Sequence, residues 1–273
     1  RIARIMHLEN GIKQAFNKPF YVEEKVDGYN VRIAKVQDQV FAFTRGSYVC
    51  PFSTDRLVDF FDYDNFFREN PDLIVCGEIA GPESPYNGES PPYVVEDISF
   101  LACDIRIKNS DQQIPTEKRY KLFDEYEIPT VTRFGRYVSS DIKEIERYIQ
   151  DMNKKGCEGL VFKPTDPSEK TVKYVTAGSC LRDMKVTSQL MTEYQAEFFT
   201  NRMLRSLFYL IEHDLPLNDD FLKKMGDALL QPLYESIKKV VGGEMITERF
   251  KVRFNKKKNI KKLFEHFHKC KVD

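Results

Sequence analysis

Lys25, Arg45, Glu78, Glu158, Lys163 and Lys173 are the side chains whose types and order suit chemistry on a phosphorylated substrate. Lys25 stands in Glu23-Glu24-Lys25-Val26-Asp27-Gly28-Tyr29-Asn30, between Phe20-Tyr21-Val22 and the alternating Val31-Arg32-Ile33-Ala34. A lysine attacks only as the free amine, and burial or nearby positive charge lowers its pKa enough to allow that. Lys163 and Lys173 would supply such charge and would also neutralise phosphate oxygens. Glu78 can accept from a ribose hydroxyl, and Glu158 can hold a hydrated divalent cation. Such a set is complementary to a nucleoside triphosphate. The chain contains neither a P-loop nor the dinucleotide-binding glycine fingerprint, so side chains must hold the phosphates. Gly28 would let the backbone come close to a ligand. Taken alone, Lys-x-Asp-Gly also describes a hairpin turn with a surface lysine.

The elements that carry these residues are mostly strands. Period-two patterns predict strands near 20–24, 30–36, 40–44, 73–76, 99–107, 131–138, 158–164 and 171–175. Ile2, Ile5, Leu8 and Ile12 predict a helix over 1–16. Ser53 or Thr54 is expected to cap a phenylalanine-rich helix running to Asn70. Further helices are expected over 115–126 and from Ser139 or Ser140 to Lys155, with Gly156 as terminator. Residues 81–92 read as a loop.

After Gly178 helical spacing takes over. Leu190, Tyr194, Phe198, Met203, Leu207 and Leu210 mark one stretch, and 219–241 a second, with Pro232 inside it. Gly242-Gly243 precedes an alternating run over 246–254 and a lysine-rich 256–262 that opens an amphipathic helix. The reading is an α+β protein: a catalytic domain over 1–178, a helical domain over 179–241, and a small basic domain over 242–273.

Composition narrows the class. The 273 residues include 42 Lys and Arg against 42 Asp and Glu, so no chain-wide field attracts nucleic acid and any such binding needs a local patch. Six cysteines occur without a C-x-x-C pair, which excludes zinc-ribbon and thioredoxin-like chemistry. Scattered cysteines of this kind suit a reducing cytoplasm. No apolar run reaches membrane-spanning length. The chain opens on Arg1 rather than Met, as a chain lacking an N-terminal segment would.

Read in order, the loaded stretches resemble the motifs of the covalent nucleotidyltransferases, the superfamily of ATP-dependent ligases and capping enzymes. Lys25-Val26-Asp27-Gly28 resembles the motif with the nucleophilic lysine, and Thr44-Arg45-Gly46 the Ser/Thr-Arg-x-Gly motif. Cys76-Gly77-Glu78 resembles the Gly-Glu motif, and Phe100 to Asp104 the aromatic-plus-Asp motif. Glu158-Gly159-Leu160-Val161-Phe162-Lys163 and Val172-Lys173-Tyr174 resemble the last two. The flanking words are closest to the homodimeric archaeal ATP-dependent RNA ligases that circularise RNA. Two positions depart from the pattern: a single lysine, Lys173, stands in the final motif, and Cys103 rather than an aromatic precedes Asp104.

The resemblance implies a nucleotidyltransferase (ATP-grasp-like ligase) domain of antiparallel sheets with flanking helices, and a helical segment used to dimerise. It makes Lys25 the nucleophile and Glu158 the metal ligand. It gives nucleotide contacts to Glu24, Asn30, Arg45, Glu78, Phe100, Lys163 and Lys173, with Phe100 stacking on the base. It implies ATP with Mg2+ or Mn2+, and RNA with 5′-phosphate and 3′-hydroxyl ends. Lys25 would take AMP from ATP, AMP would pass to the RNA 5′-phosphate, and the 3′-hydroxyl would displace it. DNA ligase, mRNA-capping guanylyltransferase and a non-catalytic RNA-binding relative are the alternatives. The helix-rich 179–241 does not read as the five-stranded OB-fold that would follow in a DNA ligase or capping enzyme. Arg32 and Arg106 read equally well as ion-pair partners.

Overall fold

The computed structural model describes residues 2–86, 90–110, 114–166, 168–191 and 196–269. In chain order the first elements are β1 (Ala3–Arg4), α1 (Leu8–Ala15), β2 (Phe20–Lys25), β3 (Tyr29–Val36), β4 (Gln39–Thr44) and α2 (Pro51–Asp55). Then follow α3 (Tyr63–Glu69), β5 (Leu73–Ala80), β6 (Ser99–Ile107), α4 (Thr116–Glu125), β7 (Arg133–Tyr137), α5 (Ile142–Lys155), β8 (Gly159–Pro164) and β9 (Val172–Val175). Helices α6 (Ala177–Gln189), α7 (Ala196–Glu212), α8 (Asp219–Val241) and α9 (Lys258–Lys269) complete the order. Among the described residues no helix is long and apolar enough to cross a membrane.

The chain forms two compact units. One combines Arg1–Lys25 with Phe134–Arg249, the other Val26–Arg133 with Phe250–Asp273. This differs from a linear division at 178 and 241, because each sheet and each end of the chain recruits residues distant in sequence.

In the first unit a five-stranded sheet runs β1-β9-β8-β2-β7. β8 is antiparallel to both β2 and β9, and β1 is parallel to β9. Alternation sends Phe20, Val22, Leu160, Phe162, Val172 and Tyr174 into a core with Leu8 and Ile12 of α1 and Ile145, Ile149 and Met152 of α5. The same alternation leaves Tyr21, Glu23, Lys25, Val161, Lys163 and Lys173 on the opposite face. The first helix is shorter than 1–16, because residues 3–4 pair with β9 instead. Asp141, not Ser139 or Ser140, is the N-cap of α5, and its carboxylate accepts from the Val138 N–H rather than from the first turn. Gly156 ends it in the left-handed conformation, φ 77°.

Arg205 of α7 ties the helices to that sheet. Its guanidinium is fully buried and donates to the carbonyls of Val175 (3.0 Å) and Met6 (2.6 Å), to Glu212 (2.7 Å) and to the Tyr174 hydroxyl. Tyr174 in turn donates to Glu212 (2.6 Å), and Glu212 accepts from the Leu8 N–H (2.5 Å). Burial holds the guanidinium at about 10, below its usual pKa, despite Glu212. Of the apolar residues expected to mark a helical stretch from Leu190 to Leu210, Tyr194 lies outside the described residues.

The second unit holds an antiparallel sheet in the order β4-β3-β5-β6. Its core face carries Val31, Ile33, Val75, Ile79, Phe100 and Ala102, covered by Phe60, Phe66, Phe67 and Phe123. The helix expected from Ser53 or Thr54 to Asn70 is broken. Cys50 caps α2, a single 3-10 turn spans Leu57–Asp59, and Asp62 starts α3 by accepting from the Asn65 N–H (3.0 Å). The Asp62 carboxylate re-initiates the helix by taking an early N–H, and Phe60 and Phe66 both face the core.

The alternating run over 246–254 is not a strand. Val252 and Phe254 pack one-sidedly around Cys50, Phe52 and Leu263, and the chain then bonds to a side chain rather than to a ladder. The Asp55 carboxylate accepts from the backbone N–H of Asn255 (2.5 Å) and Lys256 (3.2 Å).

Candidate active site

Lys25 ends β2 opposite Gly159, and its Nζ lies 2.5 Å from the Glu158 carboxylate. The two side chains are 21% and 12% exposed, reachable by a ligand yet largely removed from bulk water. Gly159, the cross-strand partner of Lys25, lets β8 lie close against β9. Its φ is 155°, and a Cβ there would sit 2.1 Å from the Tyr174 carbonyl oxygen of β9. Lys163 and Lys173 share the face of Lys25, since Lys163 pairs with Tyr21 and Lys173 with Val161 across the ladders. Three cations thus lie within a few residues of one another on one face of one sheet, an arrangement that can neutralise several phosphate oxygens.

Glu23 belongs to this face and was not among the expected site residues. Buried, it holds the Lys163 ammonium at 2.5 Å. Its signal was present: it stands two residues before Lys25, which on a strand means the same side. Glu24 is the reverse case. One residue from Lys25, it points to the other face, buried near Cys157, whose thiol is pushed up first by burial and then by the Glu24 charge. Pleating thus places Glu24, expected to contact the nucleotide, on the face opposite Lys25.

In the second unit, Asn30 and Glu78 are cross-strand partners on β3 and β5. The Asn30 amide donates to Glu78 Oε1 (3.1 Å) and to the Gly77 carbonyl (3.4 Å). Gly28 lies against β5: a Cβ would meet the Ile79 carbonyl oxygen at 2.8 Å and the Glu78 Cβ at 3.0 Å. The close approach that Gly28 serves is to the strand that carries Glu78. Arg45 is exposed in the tight turn after β4, where the Tyr48 N–H donates to Thr44 Oγ1 (3.2 Å) and Ser47 takes φ 67°.

Phe100 does not present a face to a base. It is 3% exposed and stacked by Phe60 (5.2 Å) and Phe61 (6.0 Å) within the core. The alternation of β6 puts Leu101, the cross-strand partner of Glu78, on the Glu78 side instead. Asp104 pairs with buried Arg119 (3.0 Å) and with Arg106 (3.6 Å), so Arg106 is an ion-pair partner.

Among the described residues no cluster of three His, Cys, Asp or Glu side chains is built to cage a metal. The donor set around Lys25 suits a cation that brings its own waters and is held by one carboxylate and by substrate phosphates.

A family model described as RNA ligase matches residues 18–175, and one described as the Ligase Pab1020 C-terminal region matches 186–273. Two structures of an archaeal ATP-dependent RNA ligase are 30% and 31% identical, with TM-scores of 0.91 and 0.90. Each covers 99% of this chain and 73% of the relative. A protein from Aquifex aeolicus, to which ATP-dependent DNA ligase activity is ascribed, is 38% identical with a TM-score of 0.93, covering 98% of this chain and 74% of that one. A Methanocaldococcus jannaschii protein without an assigned function is 29% identical over 98% of this chain and 69% of its own length.

Proposed function

Given that the chain belongs to the RNA ligase family, we propose that it is an ATP-dependent ligase that joins RNA 5′-phosphate and 3′-hydroxyl ends through lysyl–AMP on Lys25. The observation that carries this is the meeting of Lys25 and Glu158 at 2.5 Å on a face shared with Lys163 and Lys173. The Lys25 amine attacks the α-phosphorus of ATP. The P–N bond forms as the bond to pyrophosphate breaks, and the amine loses its proton. The RNA 5′-phosphate then displaces Lys25, and the 3′-hydroxyl displaces AMP as the phosphodiester forms.

Each residue has a part. In the resting protein Glu158 holds the Lys25 ammonium, and a carboxylate turned to a cation no longer does so. Lys163, steadied by Glu23, and Lys173 take phosphate oxygens. Glu78, oriented by Asn30, and Arg45 take the nucleoside. Magnesium or manganese held by Glu158 would supply charge neutralisation on the phosphates. In-line positioning and charge stabilisation account for most of the acceleration.

The same reading makes the protein a homodimer. Leu204, Leu207 and Ile211 of α7 and Leu230, Tyr234 and Ile237 of α8 are exposed apolar residues, and a second copy would cover them. A monomer in sedimentation at micromolar concentration would contradict this. The scattered cysteines, without a C-x-x-C pair, support a cytoplasmic location.

The activity test is incubation with end-labelled 5′-phosphorylated RNA, ATP and magnesium. Phosphatase-resistant joined or circular RNA is expected. The Aquifex relative favours a second reading, sealing of DNA. Faster sealing of nicked DNA than of RNA would select it.

A further inference from the structure

From Lys251 to Lys269 the chain carries eight lysines and arginines against one acidic residue, Glu265, in a protein of zero net charge. Lys251 and Arg253 are taken up by Glu83 (2.5 Å) and Asp97 (3.2 Å). Lys256, Lys257, Lys258, Lys261 and Lys262 are exposed, and among the described residues no carboxylate lies within ion-pair distance of them. Helix energetics oppose this placement. The N-terminus of α9 already carries partial positive charge, and its first turn has no acidic residue to offset added lysines. The lysines are therefore not there to stabilise the helix.

The platform beneath them is fixed. Asp55 accepts from the Asn255 and Lys256 N–H groups and from the Asn259 amide (2.7 Å). Leu263 and Phe267 pack with Cys50, Phe52 and Tyr86. On the outward side Phe264 is 67% exposed, one turn from Lys261. An anchored row of unpaired cations beside an open aromatic ring suits a single strand: phosphates meet the lysines and an unstacked base lies on the ring.

We propose that the outward face of α9, with Lys257, Lys261, Lys262 and Phe264, binds the backbone of single-stranded RNA and holds it for ligation. The assignment of RNA rests on the ligase reading above; the surface itself is separate from the residues given roles in chemistry.

The test uses the full chain. Lys257, Lys261 and Lys262 are replaced together by Ala, and Phe264→Ala is made separately. RNA affinity is measured by fluorescence anisotropy over a salt series, and lysyl–AMP formation is measured without RNA. The triple variant should lose roughly tenfold or more in affinity at low salt, and its slope of log K against log salt should flatten by about 2 for three phosphates. Phe264→Ala should weaken single-stranded RNA by roughly fivefold or more and leave duplex RNA nearly unchanged. Lysyl–AMP formation and melting temperature should not fall in either variant. Unchanged RNA affinity and salt slope in the triple variant would overturn the proposal, as would loss of binding to anionic lipid vesicles with RNA binding intact. Failure of lysyl–AMP formation in the unaltered chain would strike the ligase reading alone, since RNA binding is read separately.

Discussion

Lys25 and Glu158 hold each other at 2.5 Å, so the nucleophile and the carboxylate suited to a cation are one ion pair. An ammonium so held cannot attack. Glu158→Gln keeps the shape and removes the charge that both partners use. Lysyl–AMP formation in this variant should fall by roughly a hundredfold or more, with the magnesium dependence weakened. Rapid-quench measurement of the adenylylation rate across a magnesium titration checks this; an unchanged rate would show that Glu158 is only a surface carboxylate.

Asn30 aims Glu78 through a 3.1 Å hydrogen bond across β3 and β5. Losing a bond to a charged acceptor costs about 1.5–3 kcal/mol. Asn30→Ala should therefore lower the melting temperature by a few degrees and, with Glu78 no longer aimed, raise KM for ATP by roughly tenfold. Initial-rate kinetics with ATP varied decides it.

Arg205 and Glu212 form a buried pair that also engages Tyr174, Val175, Met6 and Leu8. Removing one member strands a buried charge, so Arg205→Met should destabilise by about 3–5 kcal/mol. Arg205→Met combined with Glu212→Leu should recover part of that loss. Urea unfolding of the four proteins of the cycle gives the coupling. Tyr174 follows Lys173 directly, so the same cycle should shift the rate of ATP use, and truncation after 178 should leave β9 unsupported.

His266 docks the underside of α9. Its pKa lies below the usual 6.5, first through burial and then through the Lys269 charge. A depressed histidine is neutral when folded and takes up a proton on unfolding, so its full contribution is present above pH 6.5 and declines as pH falls below it. Hydrogen exchange over 258–269 should accelerate from pH 7 towards pH 5, after correction for intrinsic rates, and His266→Leu should remove that dependence. His213 is also lowered by burial, but it lies in the other unit and its effect would fall on different amides.

The strands and the order of the loaded residues were legible because period two and Gly-containing turns are local signals. Lys25, Lys163 and Lys173 fall on one face because their spacings match the pleat. What local pattern did not carry was whatever depended on distant partners. Phe100 looked available for a base until Phe60 and Phe61 were seen to cover it. Glu24 shared a motif with Lys25 but not a face. The run over 246–254 alternates like a strand, yet the residues that satisfy the chain beyond it belong to Asp55, about two hundred positions away. The Arg205 network spans from Met6 to Glu212 and leaves no periodic trace.

The most direct test is incubation with α-labelled ATP and magnesium, comparing the native chain with Lys25→Ala on a denaturing gel, with peptide mass spectrometry to locate the adduct. The account predicts AMP on the peptide that contains Lys25 in the native chain and none in the variant. Equal labelling of both proteins, or no labelling of native protein shown to be free of bound AMP, would contradict it.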